Sequence, residues 1–549
     1  MSPYIVPSSL TVSNVMEIPR TPVNRYSTPT MKHVEGIGMI SNNLCKRINR
    51  FFEGVIFLQS LIEACRTNNQ IKAPAENYDA DESPYKIFKC FVNKMAQVCD
   101  NVPFGKTVTS LAIIKHVGGE LRYTFASNQR TVEDSECAKK VIQKLLSDVG
   151  LAQPSEIQDD GESPLFHRIL QDILEFHAER IKAYGKRLMI RLGTCIEDCD
   201  RTNSPEPVDQ SELLVRAANS LRKSTARELI IEKARVGKMD QSEHWSEFQH
   251  DIGRLASYLA VVRTIIIARK RIPQLFENFD ITFLESSISI PNPMNSIEPR
   301  MSLSRKRQLR SAHSIIGRMI GDPAERAKHQ KYAESIQHCD LDKLIMDRAG
   351  SETFRPIVHC EVLLLDSLCK EFDNEIRPIP FFDDIRYIGC SKPTCRLCEY
   401  YFGAHKSGIQ VRPGHKNLYP NWIVPDVAME NSPKAYEKNG MIDKVLEKVR
   451  QSALLALREK VSDGSRFDSN TYSCLPTQPS LADGADIGNN LASILEDLSI
   501  TPTQTPTSSP KGPEADDDAW SVVADGDSDG EREDDGGGLL LFTGRNIQA

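Results

Sequence analysis

The apolar residues Leu44, Ile48, Phe51, Phe52, Val55, Ile56, Leu58, Leu61 and Ile62 recur at helical spacing, so residues 43–66 predict a helix with a buried face. A second helix is expected over 84–99. Beyond it, the β-rich runs 107–115 and 121–126 flank His116, Val117, Gly118, Gly119 and Glu120, a pattern that predicts a hairpin. From 131 to 350 the apolar period is helical, most clearly in 165–192, 211–236, 244–271 and 323–348. The stretches 161–164 and 286–299, with their Pro, Ser and Asn, read as connections. After Arg355 the pattern switches to alternating helix and strand. It predicts a helix starting near His359, a strand over 385–389, a helix from Cys395 to about 402, strand-like runs at 408–412 and 422–424, and a last helix over 436–460. Such alternation is that of an α/β core.

Outside these segments the periodicity is lost. Residues 1–41 are rich in Pro, Ser and Thr, and 461–549 carry Thr-Pro repeats and an acidic run over 516–535, so both are expected to be disordered tails. The net charge of -7 gives no whole-chain attraction to nucleic acid, and any such partner must be met by a local basic segment. Fourteen irregularly spaced cysteines do not form the framework of a small secreted domain, and the first residues lack the basic-then-apolar order of a signal peptide. An intracellular location, cytoplasmic or nuclear, is the expectation. No membrane span is expected, because the best apolar stretch, 255–268, is shorter than the ~18 residues needed and carries Arg263. Gly105-Lys106-Thr107 has the end of a phosphate-binding loop, but Asp100 stands where that loop needs glycine.

Candidate chemistry concentrates in His359-Cys360-Glu361 and Cys395-Arg396-Leu397-Cys398. One imidazole and two thiolates hold Zn2+ and leave a fourth tetrahedral position for a water whose pKa the metal lowers. Glu361 would carry that water's proton to a leaving amine. Both halves sit at expected helix starts, where unpaired N–H groups and the dipole favour thiolate. Neither half decides alone. Fourteen cysteines in 549 positions give about 0.35 chance Cys-x-x-Cys matches, and His-x-Glu also occurs at His33-Val34-Glu35 and His177-Ala178-Glu179. His33 lies in the expected tail, and His177 falls mid-way along an amphipathic helix, with Cys195 and Cys199 too near for an intervening strand. Only the third copy has helix, strand and helix in order. Two other readings stay open. Cys390 supplies a fourth ligand and makes a closed structural site in a non-catalytic binding or scaffold protein, or the cysteines are buried without metal.

With His-x-Glu at one helix start and Cys-x-x-Cys at the next, the chain resembles the zinc-dependent cytidine-deaminase-like superfamily. The stretches Tyr387-Ile388-Gly389-Cys390-Ser391-Lys392-Pro393-Thr394-Cys395-Arg396-Leu397-Cys398-Glu399-Tyr400-Tyr401-Phe402 and Gly414-His415-Lys416-Asn417-Leu418-Tyr419-Pro420-Asn421-Trp422 are similar to its large fungal group of nucleic acid/nucleotide deaminases, most closely over 355–425. The resemblance implies a three-layer α/β fold with a mixed sheet. It also implies Zn2+ on His359, Cys395 and Cys398, Glu361 as general acid and base, and hydrolytic deamination of a nucleobase, in a nucleotide or a polymer, by attack of zinc-bound hydroxide. That superfamily opens with a hairpin, and nothing strand-like directly precedes Pro356, so the hairpin at 108–127 is expected to be the missing piece. The implied plan is a tail (1–41), an N-terminal helical segment (42–100), the first hairpin of the deaminase core (101–130), a helical insertion (131–350), the zinc-binding core (351–435), a C-terminal helix (436–460) and an acidic tail (461–549). Asn128 then falls where relatives hold the sugar or base with an asparagine; otherwise it closes a turn. Many relatives have proline directly before the first cysteine, whereas here Thr394 takes that position.

His415, Tyr419 and Trp422 follow the second catalytic helix, where a base could stack or meet an imidazole. His415 is the expected substrate contact, and Trp422 reads as packing. The basic clusters at 269–271 and 305–310 are either a phosphate-binding face, a nuclear-import signal or solvated helical faces.

Overall fold

The computed structural model describes residues 31–34, 37–65, 83–157, 163–197, 211–224, 227, 230, 233, 239–297, 308–372, 378–426 and 435–460. The acidic tail 461–549, residues 1–30 of the expected N-terminal tail and the basic residues 305–307 lie outside the described residues. The remainder of that N-terminal segment is structured: β1 (Met31–Val34) and β2 (Gly38–Ser41) pair antiparallel. Ile40 buries its side chain and Ser41 caps α1 (Asn42–Ala64) by accepting from Leu44 N at 3.2 Å, so the pair runs directly into the core.

The chain is mixed α/β and mostly helical. Its central sheet holds β3 (Thr109–Lys115), β4 (Leu121–Ser127), β5 (Phe279–Phe283), β6 (Tyr387–Cys390) and β7 (Gln410–Val411), in the order β5-β4-β3-β6-β7. β3 runs antiparallel to both β4 and β6, while the outer pairs β4–β5 and β6–β7 are parallel. The hairpin 107–126 therefore lies beside the strand that follows His359, with Ser110 opposite Cys390.

Strand alternation divides the apolar interior in two. Leu111, Ile113, Tyr123 and Phe125 face α2 (Pro84–Cys99), α3 (Val132–Leu151), α4 (Pro164–Phe176), α5 (Ala178–Glu197), α6 (Ser211–Lys223) and α7 (Met239–Arg271). Ala112, Ile114, Ala126, Ile388 and Cys390 face α1, α8 (Pro293–Ile297), α9 (Ala312–Met319), α10 (Pro323–Glu334), α11 (Leu341–Gly350), α12 (Cys360–Phe372), α13 (Arg396–Ala404) and α14 (Ala435–Glu459). Gly389 lets α2 lie directly on β6, since a Cβ there would stand 2.6 Å from Val92 and 2.8 Å from Asn93. That approach brings Asn93 Oδ1 to Cys390 N at 3.1 Å and to the Tyr387 hydroxyl at 2.9 Å, fixing the end of β6.

Four details differ from the pattern reading, and one is that the expected helix 323–348 is two helices, α10 and α11, parted at Gln337–Cys339 and by Asp340 with its left-handed φ of 55°. Residues 279–283, inside the region read as mostly helical, form β5; Phe279, Ile281 and Phe283 do alternate, but over too few residues to stand out between helices. The expected helix 165–192 breaks at His177, whose Nε2 donates to Val98 O at 2.9 Å. At 422–424 there is a single parallel bridge, Trp422 to Ile357, in place of a strand. Among the described residues no helix is long and apolar enough to cross a membrane.

Candidate metal centre

Two helix starts converge on the same point. The segment before α12 is pinned by the Ile357–Trp422 bridge and by Ser287 Oγ, which accepts from Val358 N at 3.0 Å and donates to Val358 O at 3.1 Å. Helix α12 takes its cap from a distant part of the chain: Asn128, just past β4, accepts from Cys360 N through Oδ1 at 2.8 Å. Helix α13 is capped by Cys395 itself, whose Sγ accepts from Cys398 N at 3.5 Å. Helix α13 thus aims an N-terminal N–H at a cysteine sulfur, at the helix end that favours negative charge, while the first N–H of α12 goes to Asn128.

His359 Nδ1 lies 3.5 Å from Cys395 Sγ and 3.5 Å from Cys398 Sγ. A tetrahedral zinc with bonds of about 2.3 Å to sulfur and 2.05 Å to nitrogen sets those atoms about 3.5 Å apart, so the donor set fits the ion in chemistry and in spacing. All three residues are buried. Glu361 Oε2 stands 3.9 Å from Cys398 Sγ, beside the trio without belonging to it. Trp422 Nε1 donates to Cys398 Sγ at 3.3 Å.

The charges follow from this packing. Burial disfavours the imidazolium of His359, but the facing Cys395 sulfur, with Glu361, outweighs it and raises the pKa. The two cysteine thiols shift in opposite directions. Against its burial, Cys395 is held well below the ordinary thiol value by the Cys398 and His359 contacts, and burial together with that neighbouring charge pushes Cys398 well above it. Burial and the Cys395 charge raise the Glu361 carboxyl.

A family described as OTT_1508-like deaminase matches residues 358–426 of the chain, the stretch that holds His359, Glu361, Cys395 and Cys398. Residues 358–426 are a cytidine-deaminase-like domain. No curated protein and no solved structure matches the chain. A deaminase-like domain implies a nucleobase-type substrate, and its Cys/His group could hold zinc.

Around the deaminase-like domain the remaining candidates fall unevenly. Asn128 lies outside residues 358–426 yet touches the start of α12; its Oδ1 is taken by Cys360 N, and its Nδ2 makes no hydrogen bond to the described residues. Cys390 does not join the His359 trio. Its sulfur groups with Cys360 Sγ and a Glu361 carboxylate oxygen, the ligand atoms all within 4.8 Å of one another. His415 is buried, with Nδ1 accepting from Asn417 N at 3.0 Å and its ring edge-on to Tyr419. Its burial and the Lys392, Arg412 and Arg254 cations depress its pKa to about 3. The basic clusters turn partly inward: Arg269 donates to Val149 O and Gly150 O, and buried Arg310 to Met294 O, while Lys270 and Arg271 are exposed.

Several site residues carried no sequence signal. Ser110 donates to Cys360 Sγ at 3.1 Å, and Arg412, fully buried, donates to Cys390 O at 3.2 Å and Ser391 O at 3.3 Å, holding the loop that leads to Cys395. Thr394 Oγ1, in the position where many relatives carry proline, is buried with no hydrogen-bond partner. Trp422 packs as expected, against Phe51 and Tyr401, but its N–H also serves a candidate ligand.

Proposed function

We propose that this chain is a zinc-dependent hydrolytic deaminase acting on a nucleobase in a nucleotide or nucleic acid, with His359, Cys395 and Cys398 as the metal ligands. The observation that carries the reading is the pair of 3.5 Å separations from His359 Nδ1 to the two sulfurs, with the Glu361 carboxylate 3.9 Å from Cys398. Zinc, when bound, supplies a Lewis acid that makes a water nucleophilic near neutral pH. Glu361 accepts the proton that this water loses on attacking the amidine carbon and passes it to the substrate nitrogen. The exocyclic nitrogen leaves as ammonia and the ring carbon keeps the water's oxygen. Asn128, fixed through Oδ1 by Cys360 N, offers Nδ2 as a donor to the sugar or base. The Thr394–Gly414 bridge and the Asn417 O···Arg396 N bond of 3.0 Å hold the 414–419 loop, with His415 and Tyr419, against α13.

The test is ammonia release from free bases, nucleosides, nucleotides and single-stranded oligomers, with wild type and Glu361→Ala side by side. Release from one substrate class, abolished in the variant while zinc content is kept, is the expected result. Wild type that holds one equivalent of zinc and releases nothing across the panel would sink the reading.

A further inference from the structure

We propose that Cys360, Glu361 and Cys390 form a second site for a thiophilic divalent cation, Zn2+ or Cd2+, and that filling it withdraws Glu361 from proton transfer. The two sulfurs and a Glu361 carboxylate oxygen lie within 4.8 Å of one another, and the three residues are 0%, 1% and 4% exposed respectively for Cys360, Cys390 and Glu361. Cys360 Sγ is 3.4 Å from Glu361 Oε2. A tetrahedral zinc bound to one thiolate and one carboxylate oxygen separates them by about 3.6 Å, so this edge needs little movement to accept the ion.

The donors come from rigid parts of the fold. Cys360 and Glu361 stand in the first turn of α12, whose start Asn128 fixes; Cys390 ends β6, where Asn93 holds its N–H and Arg412 its carbonyl. Ser110, opposite Cys390 on β3, places its hydroxyl 3.1 Å from Cys360 Sγ, ready to donate to a bound thiolate. Two thiolates and a carboxylate match the donor preference of Zn2+ and Cd2+ over Mg2+ or Ca2+. Binding displaces the two thiol protons to solvent and forms two metal–sulfur bonds and one metal–oxygen bond.

The consequence comes from where Glu361 sits. Its Oε2 lies 3.4 Å from Cys360 Sγ and 3.9 Å from Cys398 Sγ, on the border between the two groups. A carboxylate lone pair given to a second cation is no longer available to take a proton at the first. The inhibitory half of the proposal rests on the deaminase reading, whereas the binding half stands on geometry alone.

The experiment titrates the full chain, stripped of metal and kept in a non-thiol reductant, with Cd2+ and follows the thiolate-to-cadmium absorbance together with bound metal by mass spectrometry. Wild type is expected to take up two equivalents. Cys390→Ser and, as an independent variant in case one disturbs the fold, Cys360→Ala should each stop at one, and Cys395→Ser with Cys398→Ser should keep only the other. With an active substrate in hand, the second equivalent of zinc should slow wild type by about 10²-fold, the effect of losing a general acid–base group, and leave Cys390→Ser unslowed. Saturation of wild type at a single equivalent that needs Cys395 and Cys398 overturns this second site and leaves the deaminase reading intact. Failure to bind any metal removes both. Retention of two equivalents in Cys390→Ser, or a Cys360–Cys390 disulfide that persists in the reductant, also overturns the proposal.

Discussion

His359 and His177 head the same tripeptide pattern, His-x-Glu, each is buried, and each stands immediately before a helix, yet their surroundings shift the two imidazole pKa values in opposite directions. His177 spends both nitrogens on neutral hydrogen bonds: Nε2 donates to Val98 O at 2.9 Å and Nδ1 accepts from the Tyr258 hydroxyl at 3.2 Å. Burial, with the nearby Arg180 cation, pushes its pKa down to about 3. His359 instead turns Nδ1 toward two sulfurs and is pushed the other way. A motif therefore becomes a metal-ligand set through what faces its second nitrogen. One histidine closes a joint between α4 and α5; the other opens toward a charge.

The contrast can be broken or sharpened at several points. The largest effect is expected from Glu361→Gln, which should lower the deamination rate by about 10²–10⁴-fold with zinc retained, while Glu179→Gln leaves rate and zinc unchanged; equal losses in both would erase the distinction. Next, His359→Ala should weaken zinc binding by at least about 10²-fold, beyond the usual cost of losing an outer-sphere partner. His177→Ala should keep zinc and cost about 1–3 kcal/mol in denaturant unfolding, because buried partners are left unpaired. Zinc content and midpoint measured on the same samples separate these cases.

Acid should act mainly through His177 and His415, both held to about 3. A pKa depressed from the unfolded value of about 6.5 means that the unfolded chain binds the proton first. The stability each contributes is full above about 6.5 and is lost as pH falls toward 3, at about 1.4 kcal/mol per pH unit per group. Unfolding curves between pH 6 and 4 should lose about one proton's worth of that slope in His177→Leu; an unchanged slope contradicts the neutral assignment. The smallest change is expected from Trp422→Phe, which removes the N–H at 3.3 Å from Cys398 Sγ and should weaken zinc by about tenfold, read by competition with a chelating dye.

The spacing of His359, Glu361, Cys395 and Cys398 was legible because each pair lies within one helical turn, where sequence distance and spatial distance agree. So were α1, α2, the β3–β4 hairpin and α14, whose periods are long and uninterrupted. The Cys360–Cys390–Ser110 contacts were not, since the β3–β6 register that makes them is a non-local choice no local period encodes. Side-chain direction escaped for a related reason: Arg269 and Arg310 look like a basic surface in sequence, but each finds helix-end or loop carbonyls to satisfy. Asn128 was reached only through the resemblance, because nothing local to it reveals that its partner is Cys360.

That last contact, 232 residues apart in the chain, also bears on how the molecule could be divided. An excised fragment covering 358–426 would carry every candidate metal ligand and still lack the cap on α12 and β3, the strand beside β6 on the hairpin side. Closing so long a loop costs entropy, and the metal centre depends on contacts that no local segment supplies. Transplanting the motif into another scaffold would therefore mean transplanting its remote hairpin as well.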